Sequence, residues 1–170
     1  DIILGGDHLG PSVWQNEPAA SAMDKSKVLI HDYVQAGFVK IHLDCSMRLA
    51  DDPQGALNPG IIAKRAAQLA KASEEAVGTG LAPVHLPRYV IGTEVPIPGG
   101  ATEHEDDVGV TKAEDACETI DIHRKAFYEL GLQSARDRVV AVVVQPGVEF
   151  GDDFVLPYQP DAAQELSRFI

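Results

Sequence analysis

Short runs of β-branched and aliphatic residues alternate along this chain with longer stretches whose apolar positions recur every three or four residues. Ile2-Ile3-Leu4 opens as a strand candidate. From Glu17 to Ala36, Ala19, Met23, Leu29, Ile30, Tyr33 and Val34 fall at helical spacing, and Gly37 follows as a stop. Phe38 to Asp44 reads as the second strand. Asn58-Pro59 supplies an N-cap and a proline at the first helical position, leading a helix through about Val77. A third strand runs from Tyr89 to Glu94. Thr111-Lys112-Ala113-Glu114 has a capping-box pattern and opens a helix that ends near Leu130-Gly131. Val139 to Val144, nearly all aliphatic, is the fourth strand, and Pro160 or Asp161 starts the last helix.

Alternation of this kind predicts a parallel sheet with right-handed crossovers. Near-continuous aliphatic strands predict burial on both faces. A doubly wound sheet and a TIM barrel both satisfy these patterns, and the polar residues separate them. Asp7-His8, Asp44, Glu94 and Gln145 each stand at the C-terminal end of a strand. Barrels build their sites from that rim, whereas an open sheet gathers ligand groups at one switch point. The expected class is therefore α/β, a partial (β/α)8 TIM barrel of about four consecutive βα units. Residues 1–170 are expected to form the central portion of a single barrel domain within a longer chain, because the sequence starts inside a strand pattern and stops in an uncapped helix. The long connections Leu9–Asn16, Ser46–Leu57 and Val95–Val110 would share the rim above the site.

Charge narrows the partners. A net charge of −12 disfavours nucleic acid and anionic lipid, while two or three local donors still suffice for a phosphorylated small molecule. No apolar run approaches the roughly 20 residues of a membrane span, and no targeting segment is recognisable. Cys45 and Cys117 read as reduced, buried thiols, and the expected compartment is the cytoplasm.

Gly5-Gly6-Asp7-His8-Leu9-Gly10-Pro11 carries the strongest chemical signal. Paired glycines let backbone approach a ligand closely, and the adjacent Asp and His supply an acid/base group beside a metal ligand. The alternative is a turn in which both merely cap backbone groups. In the segment Ile41–Met47, His42 and Asp44 share one strand face. Asp44 at the strand end is the better substrate-binding candidate, and His42 reads as a core histidine. Glu94 beside Gly99-Gly100 is either a metal- or substrate-binding group with backbone N–H donors for an anion, or a solvated residue on a proline-braced loop. His104 and its acidic neighbours read as a loop tip. Gln145 and Glu149 either contact substrate or belong to a plain turn. His31, His85 and His123 read as surface residues, and Trp14 either stacks on a sugar or packs a lid.

Four of these stretches together resemble one family. GGDHLGP with Trp14-Gln15-Asn16, KIHLDCSM (Lys40–Met47), YVIGTEVPIPGG (Tyr89–Gly100) and VVVQPGVEFGDD (Val142–Asp153) are similar to the GatZ/KbaZ family, the accessory subunits of tagatose-bisphosphate aldolase. The resemblance runs the length of the chain. It implies a barrel related to class II, metal-dependent aldolases, acting as the non-catalytic partner of a catalytic aldolase subunit in galactitol, N-acetylgalactosamine and tagatose catabolism. An oligomer and a phosphorylated ketose are implied with it. By the same likeness Asp7 would be the proton-transfer group if the site is active, and His8 and Glu94 would be metal-site residues, the metal being zinc. Asp44, Gly99, Gly100 and Gln145 are the expected substrate contacts. Phe150 stands where the second zinc histidine of the class II enzymes would fall, leaving Glu149 as the neighbouring substitute. Some members are labelled tagatose-6-phosphate kinase. The chain contains no Gly-x-x-x-x-Gly-Lys-Ser/Thr loop, and Gly151-Asp152-Asp153 lacks the glycine-rich anion hole expected of sugar kinases.

Overall fold

The computed structural model describes residues 3–77, 86–93, 109–150 and 154–169. Strand β1 (Gly5–Leu9), helix α1 (Ala19–Gln35), β2 (Lys40–Leu43), α2 (Pro59–Ala76), β3 (Arg88–Ile91), α3 (Ala113–Glu129), the short α4 (Gln133–Arg136) and β4 (Val139–Val142) follow in order. A two-stranded antiparallel pair, β5 (Glu149–Phe150) and β6 (Val155–Leu156), precedes α5 (Gln164–Phe169). The main sheet is parallel, and its spatial order equals its chain order, β1-β2-β3-β4. Each strand lies beside its predecessor with no reversal, which is the winding of a (β/α)8 barrel and not of a doubly wound sheet with a switch point. The expected four βα units are present as a partial barrel.

Local chemistry explains the helix limits. Asn58 accepts a hydrogen bond from Gly60 N at 2.8 Å, and Pro59 fills the first helical turn of α2, as its sequence predicts. Gly37 and Gly131 take φ of +89° and +72° just past α1 and α3, a region open to glycine at no steric cost. The predicted capping box at α3 does not form. Lys112 occupies the cap position, and the Thr111 hydroxyl accepts from Gln145 N at 2.8 Å, tying the start of α3 to the segment after β4.

Of the expected first strand, Ile2 lies outside the described residues, and Ile3 and Leu4 precede β1. Pairing with β2 begins at Gly5 opposite Lys40, and Ile3 is 78% exposed. The glycines take the strand because neighbours crowd them. A Cβ on Gly6 would lie 2.4 Å from Leu9 Cδ1 and 2.9 Å from Tyr33 Cδ1. Two further expectations need correcting. The last helix begins at Gln164, after a turn over residues 160–163. β4 is not covered on both faces among the described residues, and Val140 is 58% exposed. Ile41, Leu43, Leu69, Tyr89 and Phe127 are fully buried between the sheet and α2 and α3, with Ile30 of α1 joining them.

Candidate functional site

A fault in β1 creates the site. Gly6 pairs with Ile41, but the next paired residue is Leu9, opposite Leu43. Asp7 and His8 therefore both stand against the single residue His42. This is a β-bulge, which bends the strand and re-aims side chains. His8 absorbs the extra residue at φ +48°, a left-handed conformation unusual for a side chain bearing a Cβ. Neighbours in a regular strand point to opposite faces. Here both reach a polar row made of Lys40 and His42 on β2 and Asp44 just beyond its end.

The contacts are short and interlocked. Asp7 Oδ1 lies 2.7 Å from His42 Nδ1 and 2.9 Å from Lys40 Nζ. His8 Nδ1 lies 3.0 Å from Asp44 Oδ2. Ser46 donates to the other Asp44 oxygen from both Oγ (2.9 Å) and its backbone N–H (3.2 Å). Asp44 is wholly buried, whereas the His8 side chain keeps 36% of its surface. Asp44 thus holds His8 from behind, and His8 faces outward. Partial burial works to raise the Asp7 carboxyl, but hydrogen bonds and charge from Lys40 and His42 outweigh it and bring the group down to about 2. Asp7 is an anion across the physiological range. The rings of His8 and His42 are 5.1 Å apart, and one ligand atom from each of Asp7, His8 and His42 lies within 4.8 Å of the others.

His42 is more than the core histidine its sequence suggests. It is buried, but its Nε2 has no hydrogen-bond partner among the described residues. Lys40 was likewise not singled out, and only its place two residues before His42 on the same face could have drawn attention to it. The loop after β2 is firmly held: Asp51 accepts from Ala19 N at the start of α1, and Asp52 takes a two-pronged bond from Arg65 of α2 at 2.7 and 2.8 Å. Gly10 lies so close to this loop that a Cβ there would sit 1.7 Å from the Asp44 carbonyl oxygen.

The remaining expected residues are not gathered here. Gln145 Nε2 donates to Glu149 Oε2 at 3.2 Å, and its Oε1 accepts from Gly147 N at 2.9 Å, so the pair folds its own turn. Neither makes a described contact with His8. Phe150 is exposed on β5. Glu94, Gly99, Gly100, His85 and His104 lie outside the described residues. Trp14 is half-buried, with Lys25 Nζ 6.0 Å from its ring centroid. His31 is exposed as expected, but His123 is buried, with Nδ1 bonded to Thr119 O at 2.8 Å and Nε2 without a partner among the described residues. Helical spacing places His123 on the α3 face that packs inward. Of the cysteines, Cys45 is buried and Cys117 exposed, and both are free thiols.

Four parallel βα units wound in chain order make this a partial TIM-barrel-like fold, with a polar cluster at the end of its first two strands. The whole of residues 1–170 matches the D-tagatose-1,6-bisphosphate aldolase subunit GatZ/KbaZ-like family, and the chain belongs to it. It is 57% identical over 169 residues to the D-tagatose-1,6-bisphosphate aldolase subunit GatZ of Klebsiella oxytoca, covering 99% of this chain and 40% of that protein. A subunit of the same name from Salmonella heidelberg (strain SL476) is 56% identical over 169 residues, covering 99% of this chain and 39% of that protein. A crystal structure described as a probable tagatose 6 phosphate kinase from Sinorhizobium meliloti 1021 superposes with a TM-score of 0.82 at 45% identity, covering 99% of this chain and 38% of that one. The chain thus spans about 40% of the length of the curated relatives it matches. No helix among the described residues is long and apolar enough to cross a membrane.

Proposed function

We propose that this chain is part of a non-catalytic accessory subunit that binds and stabilises the catalytic subunit of a class II tagatose-1,6-bisphosphate aldolase. The observation that carries the reading is similarity at 56–57% identity, over 99% of the chain, to relatives named D-tagatose-1,6-bisphosphate aldolase subunit GatZ. The work of such a complex is cleavage of a phosphorylated ketose in the breakdown of galactitol, N-acetylgalactosamine or tagatose, in the cytoplasm. The engagement of Glu149 with Gln145, beside an exposed Phe150, supports a rim without the second zinc histidine of catalytic relatives. A second reading, in which the protein itself cleaves a phosphorylated ketose with metal assistance, draws on the Asp7–His8–His42 cluster alone. The sequence offers no Gly-x-x-x-x-Gly-Lys-Ser/Thr loop in support of the kinase description of its structural relative.

The test is co-expression of the full chain with a class II aldolase subunit. Expected are a co-purifying complex, faster cleavage of tagatose 1,6-bisphosphate than by the catalytic subunit alone, and none by the full chain alone. Turnover by the lone chain, or failure to associate, overturns the accessory reading.

A further inference from the structure

We infer that the β5–β6 hairpin is a docking surface for the catalytic aldolase subunit, which meets it with an apolar pocket edged by lysine and arginine. The inference rests on the accessory reading above. Phe150 and Val155 are cross-strand partners, so both side chains stand on one face of the hairpin. They are 64% and 56% exposed. Glu149 and Leu156 form the other pair, and both are half-buried. On that sheltered side Glu149 accepts a hydrogen bond from Gln145, and Gln145 is tied through Thr111 to the start of α3. An antiparallel pair lying on a core ordinarily keeps its apolar face inward and its charged groups in water. Here a carboxylate is sheltered while an aromatic ring and a valine meet solvent.

Each strand has only two residues, and so short a pair is marginal in water by itself. Its inner side is anchored, and its outer side has the aromatic and aliphatic character of an interface core. Tyr158, exposed shortly after β6, is steadied by its hydroxyl, 3.3 Å from Ser167 Oγ of α5.

Charge selects the occupant. From Val139 to Ser167 the sequence carries Glu149, Asp152, Asp153, Asp161 and Glu165, and no lysine, arginine or histidine. A second copy docking through the same face would bring this stretch against itself, carboxylate to carboxylate with no cation between. An anionic membrane surface would be repelled for the same reason. A different chain with basic residues around an apolar pocket suits both parts of the surface. The ring and the valine lose water at the centre, and the acids meet cations at the rim, where they steer the encounter.

The experiment measures binding of the full chain to a class II aldolase subunit by surface plasmon resonance. Phe150→Ser combined with Val155→Thr should weaken the complex at least about tenfold. Asp161→Lys should slow association at low salt, and Val28→Ser, at an equally exposed valine on α1, should change nothing. Because the altered side chains are exposed, each variant should keep the wild-type unfolding midpoint. No binding by the wild type overturns the accessory reading and this surface with it. Wild-type binding that the Phe150 and Val155 changes leave intact, or that Val28→Ser weakens as much, overturns the surface alone. So does self-association of the lone chain that the same double change abolishes, which identifies a second copy as the occupant. A Phe150→Cys thiol in a Cys117→Ser background should react with a maleimide in the lone full chain. Failure to react shows that the chain covers its own hairpin and also overturns the inference.

Discussion

The Asp52–Arg65 pair should be the costliest single ionic contact in the fold to break. Only 7% of the Asp52 side chain and 9% of the Arg65 side chain reach solvent. Asp52 accepts both guanidinium bonds and a third from Leu49 N at 2.8 Å, and Asp52→Ala strands the guanidinium in a buried place. Removing one partner of such a pair costs about 3–5 kcal/mol, mostly through the orphaned charge. Asp51→Ala, one residue away, loses a single exposed bond to Ala19 N and should cost about 0.5–2 kcal/mol. Urea unfolding of the full chain compares the two directly. Asp52→Asn combined with Arg65→Met should recover much of the loss, since the stranded charge is gone. The pair also has a pH signature. Hydrogen bonds from Arg65 hold the Asp52 carboxyl below its ordinary 3.8, against the pull of burial. A depressed carboxyl contributes stability that is present above its unfolded value and lost as pH falls through the folded one. Wild type should therefore lose stability below about pH 4 more steeply than Asp52→Ala does. An Asp52→Ala protein no weaker than Asp51→Ala would refute the reasoning.

Other substitutions probe the site and core. Gly10→Ala must move the backbone away from the Asp44 carbonyl, and we expect a loss of at least about 3 kcal/mol by thermal unfolding. Tyr89→Phe removes a buried phenol that engages Ser73 and Glu74, and should cost about 1–2 kcal/mol in the same assay. Burial pushes the His123 imidazole below its ordinary 6.5, against the raising effect of its bond to Thr119 O. The unfolded chain thus takes up that proton first, and stability should fall as pH drops below 6.5. His123→Leu should flatten that part of the curve, and an unchanged slope would count against a neutral buried imidazole.

The helices were legible because their signals are local. Asn58-Pro59, Gly37 and Gly131 act through their own backbone, so these residues placed the start of α2 and the ends of α1 and α3. β1 was displaced because propensity favours Ile2-Ile3-Leu4, whereas tertiary crowding around Gly6 decides which residues pair. Thr111 misled for the same reason, since its hydroxyl found the Gln145 amide instead of its own helix. Within the site, Asp7, His8 and Asp44 stood out as polar residues at strand ends. His42 did not, because its significance depends on a register shift in the neighbouring strand that no pattern along the chain reveals.

That shift makes chain length, more than side-chain identity, the guardian of this corner. Two successive residues look the same way only because one surplus peptide unit is accommodated between Gly6 and Leu9. Deleting one residue from that stretch would restore strict alternation and turn one of the pair to the opposite side, even with every chemically interesting side chain still present.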